Sequence, residues 1–409
     1  MKILLYSINY APEIISGGKY NSEMAEWLVC QGHDVRVVTA QPFYPQWKVF
    51  SGYNSMTYTK DSINGVNVLR CPLYVPKHPT GFKRILHFAS FAFSSFPMML
   101  GAIFWKPDLV FVVVPSLFSA PVAWLTARLS GGAQCWIHIQ DFEVDAAFQL
   151  GLLQGHSLKR CVVWVERMLL QRFDVTSTIS STMLKRLHKK GIEFPVLFPN
   201  WSDLSKMQVD KAGGIRMRSM LGLNKHQTLC LYSGNIAEKQ GLDILLDVAP
   251  KLPECKFVVC GDGASKYDLQ HQAEEMNINN IVFIPLQPIE KLAALLSAAN
   301  IHLVIQKHAV ADLVMPSKLT NILAIGGAAI VTAGEYTELG QLGEADEPCV
   351  LRCEPESPDA LHQAISRFIS SPDLMRNIKR NAKKYANIHL DKEKILSNVM
   401  NNMDKLQRS

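Results

Sequence analysis

A repeated alternation sets the terms for this chain: short, almost wholly apolar runs, each followed by a segment with helical spacing. KILLYSI (2–8) leads into KYNSEMAEWLVCQG (19–32), where Tyr20, Met24, Trp27 and Leu28 share one face and Gly32 ends the pattern. DVRVVTA (34–40) follows, and later DLVFVVVP, AQCWIHI and VTSTIS repeat the strand-like theme. Apolar runs of this length need cover on both faces, and helices between them make neighbouring strands parallel, so the pattern predicts a parallel sheet with helices on both sides. The rhythm restarts at Thr228 with TLCLYSG, a helix at 241–250, KFVVCGDG, a helix at 265–276, NIVFIPL, a helix at 289–299, IHLVIQ, a helix around 317–325 and AAIVTAG. Two doubly wound halves are therefore expected, joined near 200–225, where FPNWSDL and Gly213-Gly214 interrupt the alternation. The expected division is 1–202, 203–385 and a C-terminal helix at 386–409 that can cross back to the first half. In such sheets ligands sit outside the carboxyl ends of the strands, so the cleft between two facing halves is the expected site.

At 409 residues the chain has room for two or three domains with cores of their own. Its net charge of +6 suits anionic substrates or a lipid surface and falls short of a nucleic-acid footprint. The nine cysteines are scattered, none forms C-x-x-C, and most lie in apolar runs, which predicts buried free thiols in a reducing compartment. No Cys/His group has zinc-ligand spacing. The N-terminus MKILLYSINYAPE has too short an apolar run for a signal peptide. G-x-G-x-x-G is missing after the first strand, and Walker A, G-x-S-x-G and H-E-x-x-H are absent, which removes support for a nicotinamide dehydrogenase, a P-loop NTPase, a serine hydrolase of that type and a zincin.

One segment breaks the rhythm. Ile85 to Trp105 carries no Asp, Glu, Lys or Arg and follows Lys83-Arg84. Its length would permit a membrane span. Pro97 interrupts it, however, and His87, Ser90 and Ser94 line one face. A helix lying in the membrane interface over 82–105 is the favoured expectation, ahead of a buried core helix and of a span.

Four polar features fall at strand ends. Gly17-Gly18 lies between the first strand and first helix, where glycines admit a phosphate or sugar to the backbone, or simply make the turn. His138 and Asp141, in HIQDFEVD, end another strand and could bind sugar hydroxyls or orient a leaving group; the plain reading is a structural histidine and a helix cap. In LYSGNIAEKQGLDILL (231–246), Gly234, Asn235 and Lys239 form a loop that can set an ammonium beside a diphosphate, though its spacing is not that of a P-loop. Finally, Asp312, Ser317, Lys318 and Asn321 precede Gly326-Gly327; Lys318 and Asn321 share a helix face and Ser317 could cap that helix.

Taken in order, these features resemble the retaining glycosyltransferases of family four, whose GT-B fold has two facing Rossmann-like domains with an interdomain cleft. The resemblance spans nearly the whole chain: PE…GG, QGHDVRVVT, the DFEVD block, FPNWSDL (similar to the family's PNG interdomain signature), YSGNIAEKQGL, VVCGDG and PSKLTNILAIGG. HIQDFEVD, PSKLTNILA and YTELGQL look like the subgroup that builds bacterial surface polysaccharide, including colanic-acid fucosyltransferases and O-antigen N-acetyl-L-fucosamine transferases. The resemblance implies a sugar-nucleotide donor held mainly by the C-terminal half, its diphosphate near Lys239, Lys318 and the amides around Gly17-Gly18, with Gly261 and Gly263 admitting the nucleotide to the backbone. It further implies His138, Asp141 and Lys239 as the catalytic set, no metal, and a polyprenyl-diphosphate-linked saccharide acceptor. The enzyme would be cytoplasmic and peripheral on the inner face of the cytoplasmic membrane. Two departures stand out. Asn235 occupies the place where the family usually has arginine, and its two glutamates fall on Leu313 (beside Asp312) and Asn321. A sugar-nucleotide epimerase of the same fold and a non-catalytic sugar-nucleotide-binding protein are the competing expectations.

Overall fold

A computed structural model describes residues 1–13, 17–114, 117–142, 156–224, 227–308 and 316–407. The chain divides into two units, Met1–Pro199 with Val399–Ser409, and Asn200–Asn398.

The first unit is an eight-stranded sheet: β1 (Lys2–Ser7), β2 (Asp34–Ala40), β3 (Thr59–Ile63), β4 (Val66–Cys71), β5 (Leu109–Val114), β6 (Gln134–Ile139), β7 (Val175–Thr178) and β8 (Val196–Leu197), in the order β3-β4-β2-β1-β5-β6-β7-β8. All neighbours are parallel except β3 and β4, a hairpin at the sheet edge turned by Asn64-Gly65, both at positive φ. Helices α1 (Gly17–Cys30), α2 (Gly81–Ile103), α3 (Ala120–Leu129), α4 (His156–Leu170) and α5 (Ser181–Lys189) cover it. The predicted face of α1 is buried through Tyr20, Met24, Trp27 and Leu28. Ser180 starts α5 by accepting from the Met183 amide.

The second unit has six parallel strands in the order β11-β10-β9-β12-β13-β14: β9 (Thr228–Ser233), β10 (Cys255–Cys260), β11 (Ile281–Ile284), β12 (Ile301–Val304), β13 (Ala329–Thr332) and β14 (Leu351–Cys353). Its helices are α6 (Lys211–Met220), α7 (Ile244–Val248), α8 (Lys266–Glu275), α9 (Ile289–Ala298), α10 (Ser317–Ala324), α11 (Glu338–Glu344), α12 (Pro358–Ser370) and α13 (Pro372–His389); α14 (Lys392–Gln407) runs from this unit's end into residues counted with the first. The sequence reading of one C-terminal helix over 386–409 is corrected to two, broken at Leu390-Asp391. Alternate residues of β9 and β10 feed two cores: Cys230, Tyr232 and Phe257 on one face of the sheet, Leu229, Leu231 and Val258 on the other.

In both sheets the strand order reverses beside the first strand of the unit. β1 lies between β2 and β5, and β9 between β10 and β12. The loops after β1 and β9 therefore leave at the switch points, where helices depart to opposite faces and a crevice opens. These are the loops that hold Gly17-Gly18 and Lys239.

All nine cysteines are free; Cys30 and Cys161 are exposed and the other seven buried. Helix α2 buries His87, Phe91, Ala92, Ser95, Met99 and Ala102, and Ser95 Oγ lies 2.5 Å from Tyr6 Oη on β1. The polar face read from the sequence is used internally. Ser90 Oγ accepts from the Tyr74 amide, and Ser94 Oγ donates to the Pro72 carbonyl. The opposite face leaves Phe82, Leu86, Phe93, Phe96 and Phe104 exposed, at 70%, 44%, 85%, 38% and 89%. Pro97 is on this exposed side, where its missing N–H costs least.

Candidate functional site

In the second unit the loop after β9 is folded onto the loop after β10. The Gly234 N–H donates to Cys260 O at 2.9 Å, the Ile236 N–H to Asp262 O at 2.8 Å, and the Ser265 N–H to Ile236 O at 3.1 Å. A Cβ on Gly261 would lie 1.9 Å from Gly234 O, and one on Gly263 would lie 2.2 Å from Ile236 O. These glycines thus exist so that one backbone can lie against another. The expectation that Gly261 and Gly263 clear space for a nucleotide is corrected, because the β9 loop fills that space. Asn235 sits at the crossing, its carbonyl accepting from Tyr232 Oη at 2.6 Å.

Downstream the predicted helix does not open at Gly241. Glu238–Gln240 form one 3-10 turn, which Gly241 closes in the left-handed region (φ 62, ψ 44), and α7 begins at Ile244. Lys239 is exposed on that turn, and its carbonyl accepts from the Lys307 amide at 3.1 Å. Under the loop is a cavity of 240 Å³ lined by Ile236, Leu242 and Leu269 and by the polar Glu238, Asp243 and Lys307.

The most unusual group here is Lys318, near the start of α10. Its ammonium is buried 3.7 Å from the centroid of the Tyr232 ring and has no hydrogen-bond partner among the described residues. Gly234, at φ 148, makes room for it: a Cβ there would be 3.1 Å from both Lys318 Nζ and Cε. Burial, and then repulsion from Lys239, lowers the Lys318 pKa to about 7. The Tyr232 ring offsets part of this desolvation. An ammonium buried without a counter-charge among the described residues is costly, and an anion placed beside it would remove that cost.

Other residues expected in this group are placed differently. Ser317 is the first residue of α10, not its cap; Pro316 precedes it with no side-chain cap hydrogen bond. Asn321 Oδ1 accepts from Ser202 Oγ at 2.8 Å, which orients the amide and leaves its N–H₂ group to donate elsewhere. Asp312 and Leu313 lie outside the described residues.

In the first unit Gly17 and Gly18 open α1, with Gly18 pressed on the preceding loop: a Cβ there would be 2.6 Å from Glu13 O. Glu13, which the sequence reading did not single out, is buried. Its Oε1 accepts from the Phe43 and Tyr44 amides at 2.8 and 2.9 Å and its Oε2 from Asn9 Nδ2 at 2.8 Å, while burial raises its pKa to about 7. The loop after β1 thereby holds the turn after β2.

His138 faces inward. Gln140 Nε2 donates to His138 Nε2 at 2.9 Å, which leaves Nδ1 to donate to Ser177 Oγ, also at 2.9 Å; the ring packs 4.8 Å from Phe198. Burial lowers its pKa to about 3, so it is a neutral relay. His138, expected in the catalytic set, is closed between Ser177 and Gln140, where its ring orients Gln140 at the strand end. Asp141 is half-buried beside it, and residues 143–145 of the DFEVD block lie outside the described ones. Asp141 is the second cause, after burial, of a Tyr44 pKa raised to about 12.

The comparisons agree with this architecture. The model of Glycosyl transferases group 1 matches residues 216–385, and that of the Glycosyl transferase 4-like domain matches 17–201. A protein of Escherichia coli (strain K12) named as a colanic acid biosynthesis glycosyl transferase, WcaI, is 44% identical over 413 residues, covering 98% of this chain and 100% of its own. Sucrose-phosphate synthase from Thermosynechococcus elongatus superposes with a TM-score of 0.75 at 17% identity over 100% of this chain and 99% of its own. Anabaena HepE in complex with UDP and glucose does so with 0.73 at 14% identity over 99% and 100%. At these identities the two structures show the fold, a pair of Rossmann-like units of GT-B type. The family follows from the sequence matches: this chain belongs to the group 1 glycosyl transferases.

Proposed function

We propose that the chain transfers a sugar, of L-fucose or N-acetylamino type, from a nucleotide diphosphate donor to a lipid-linked saccharide, with retention of anomeric configuration, in bacterial surface polysaccharide assembly. The buried ammonium of Lys318, without a hydrogen-bond partner among the described residues, carries this reading, since it calls for an anion at the switch point of the second unit. In this reading the donor's diphosphate meets Lys318 from one side and Lys239 from the other. Both are cations, and the charge that grows on the leaving diphosphate strengthens its hold on them in the transition state. Lysine compensation takes the place of a metal, and the leaving phosphate itself helps to deprotonate the acceptor. Asn321 offers its N–H to a ribose hydroxyl, in place of the family's glutamate. Gln140, held by His138, and Asp141 contact the sugar or acceptor. The 44% identical relative named for colanic acid biosynthesis supports the polysaccharide setting.

A thermal-shift screen of UDP- and GDP-sugars tests the donor class, because a ligand that binds only the folded chain raises its stability. If neither class stabilises the protein, the transferase reading falls. Lys239→Ala is expected to lower turnover by roughly a hundredfold or more with the melting temperature unchanged, in line with loss of one fixed charge at the leaving group. Turnover at the wild-type rate would remove Lys239 from the diphosphate site.

The same reading places the protein on the cytoplasmic membrane. Exposed Phe82, Leu86, Phe93, Phe96 and Phe104 form one face of α2, with Lys83 beside them. A face of this composition suits the boundary between lipid headgroups and acyl chains. The buried face of α2 belongs to the unit's core, which a bilayer-crossing segment could not share. Phe93→Asp combined with Phe104→Asp is expected to weaken sedimentation with phosphatidylglycerol/phosphatidylethanolamine vesicles by roughly tenfold or more. Equal sedimentation of variant and wild type would free α2 from this role.

A further inference from the structure

Lys318 is not the only buried donor at the carboxyl edge of the second sheet. Gln306 follows β12, is 6% exposed, and its Nε2 has no hydrogen-bond partner among the described residues. Its backbone is held on both sides by one hydroxyl. The Gln306 N–H donates to Thr332 Oγ1 at 2.8 Å, and Thr332 Oγ1 donates to Gln306 O at 2.9 Å. The next residue is fixed to the Lys239 turn, through the Lys307 N–H and the Lys239 carbonyl. Gln306 therefore has little freedom to carry its carboxamide elsewhere.

This residue is not part of either core. Val304 and Ile305 face the two cores, one on each side of the sheet, and Gln306 is the first residue past them. It stands at the strand end where the order of strands reverses and the crevice opens. β12 pairs with β9 at Ile301–Cys230 and His302–Leu231, and the same offset sets Gln306 level with Asn235, about 5 Å away across the sheet. Gly234, one residue earlier, is the glycine that makes room for the Lys318 ammonium. Two buried N–H donors, one neutral and one charged, thus share this edge, and the described residues give neither a hydrogen-bond acceptor. Native structures leave few buried donors unmet, so a pair at one strand end calls for a ligand with neighbouring acceptor oxygens.

We propose that Gln306 is a donor-binding residue: its carboxamide donates to a phosphate oxygen of the same diphosphate that Lys318 holds. The proposal rests on the transferase reading above and adds to it a contact that neither the sequence motifs nor the resemblance assigns. The two donors act differently. An ammonium is a compact charge that grips an anion from any side, whereas a planar amide donates along a fixed direction, so together they set where the oxygens lie. A neutral donor also gains less than an ammonium as charge grows on the leaving diphosphate. Gln306 therefore serves binding more than the chemical step.

The test is isothermal titration of the full chain with UDP and with GDP, beside melting temperatures of the ligand-free variants. Gln306→Leu is expected to weaken the nucleotide that wild type binds by roughly tenfold, the worth of one hydrogen bond, while the ligand-free melting temperature stays level or rises. Gln306→Glu sets a carboxylate in place of the amide. It is expected to pair with Lys318, raise the ligand-free melting temperature and weaken the nucleotide by roughly a hundredfold or more. Adding Lys318→Met to Gln306→Glu strands that carboxylate, so the double variant is expected to melt below either single variant. Nucleotide binding by Gln306→Leu within about twofold of wild type overturns the proposal, since water would then be what meets the amide. So does a Gln306→Glu chain less stable than wild type, which would mean that no cation stands beside it. A wild-type chain that binds neither UDP nor GDP counts instead against the transferase reading itself.

Discussion

Lys318→Met is expected to do two opposite things: stabilise the ligand-free protein and disable donor binding. Methionine keeps the volume of the stem against Tyr232 and removes a buried charge that has no partner among the described residues. Replacing buried charge by apolar side chains of similar size stabilises proteins by about 1–4 kcal/mol in comparable cases, which corresponds to several degrees in melting temperature. Nucleotide-sugar affinity should fall by roughly a hundredfold, the worth of a charge-assisted contact in a dry site. A melting temperature below that of wild type, with donor affinity retained, would show that Lys318 has a structural partner and no ligand role.

Lys318 also gives a pH dependence of definite sign. Its folded value is near 7 against 10.5 for the free side chain. Between those values the unfolded chain holds a proton that the folded chain has released, so the contribution of this group to stability rises with pH across that window and its penalty is complete below about 7. Donor binding runs the other way. An anion draws the proton back, so affinity is level below about 7 and declines above it, by up to about tenfold per pH unit. Among the described residues the charge acting on this ammonium is Lys239, a like charge. Isothermal titration of nucleotide sugar in buffers of different ionisation enthalpy should detect net proton uptake near pH 8, and Lys318→Met should abolish it.

The second large effect concerns Gly261. Its added Cβ would meet Gly234 O at 1.9 Å, an atom of backbone and not the end of a flexible side chain. Gly261→Ala must therefore part the two loops and break the hydrogen bond from the Gly234 amide to Cys260 O. We expect a loss of about 3 kcal/mol, at the upper end for overpacking by one methyl group. Donor affinity should fall with it, since Gly234 also shapes the space around Lys318. Gly222→Ala is the control. Gly222 is at φ 69 with nothing within 4 Å of its would-be Cβ, so only the cost of a left-handed alanine, about 1 kcal/mol, is expected. Urea unfolding followed by circular dichroism measures both. A Gly261→Ala variant no less stable than Gly222→Ala would mean that the loops part freely.

Local sequence was enough for the succession of strands and helices along each half and for the restart of the pattern at Thr228. These follow from local periodicity: β5 is apolar along its length because both faces are covered, and α1 shows its buried face at helical spacing. The edge hairpin of β3 and β4 was also legible, in the Asn64-Gly65 turn, but its exposed strand TKDSI lacks apolar alternation and it passed unread. The order of FPNWSDL, YSGNIAEKQGL and PSKLTNILAIGG carried the family.

The tertiary structure alone decided what those candidates do. Lys318 reads as an ordinary lysine at a helix start; only the packing of α10 on Tyr232 and Gly234 makes it a buried cation in need of an anion. The resemblance gives Gly261 and Gly263 to the nucleotide, and they prove to be clearance for another backbone. His138 reads as a residue for sugar hydroxyls or a leaving group and is closed between Ser177 and Gln140. Trp47 and His87, distant in sequence, become neighbours through the turn that Glu13 fixes. Local spacing dictates the elements because it depends on which face each residue presents. Desolvation, charge and close approach depend on residues brought from elsewhere in the chain, and those no local pattern contains.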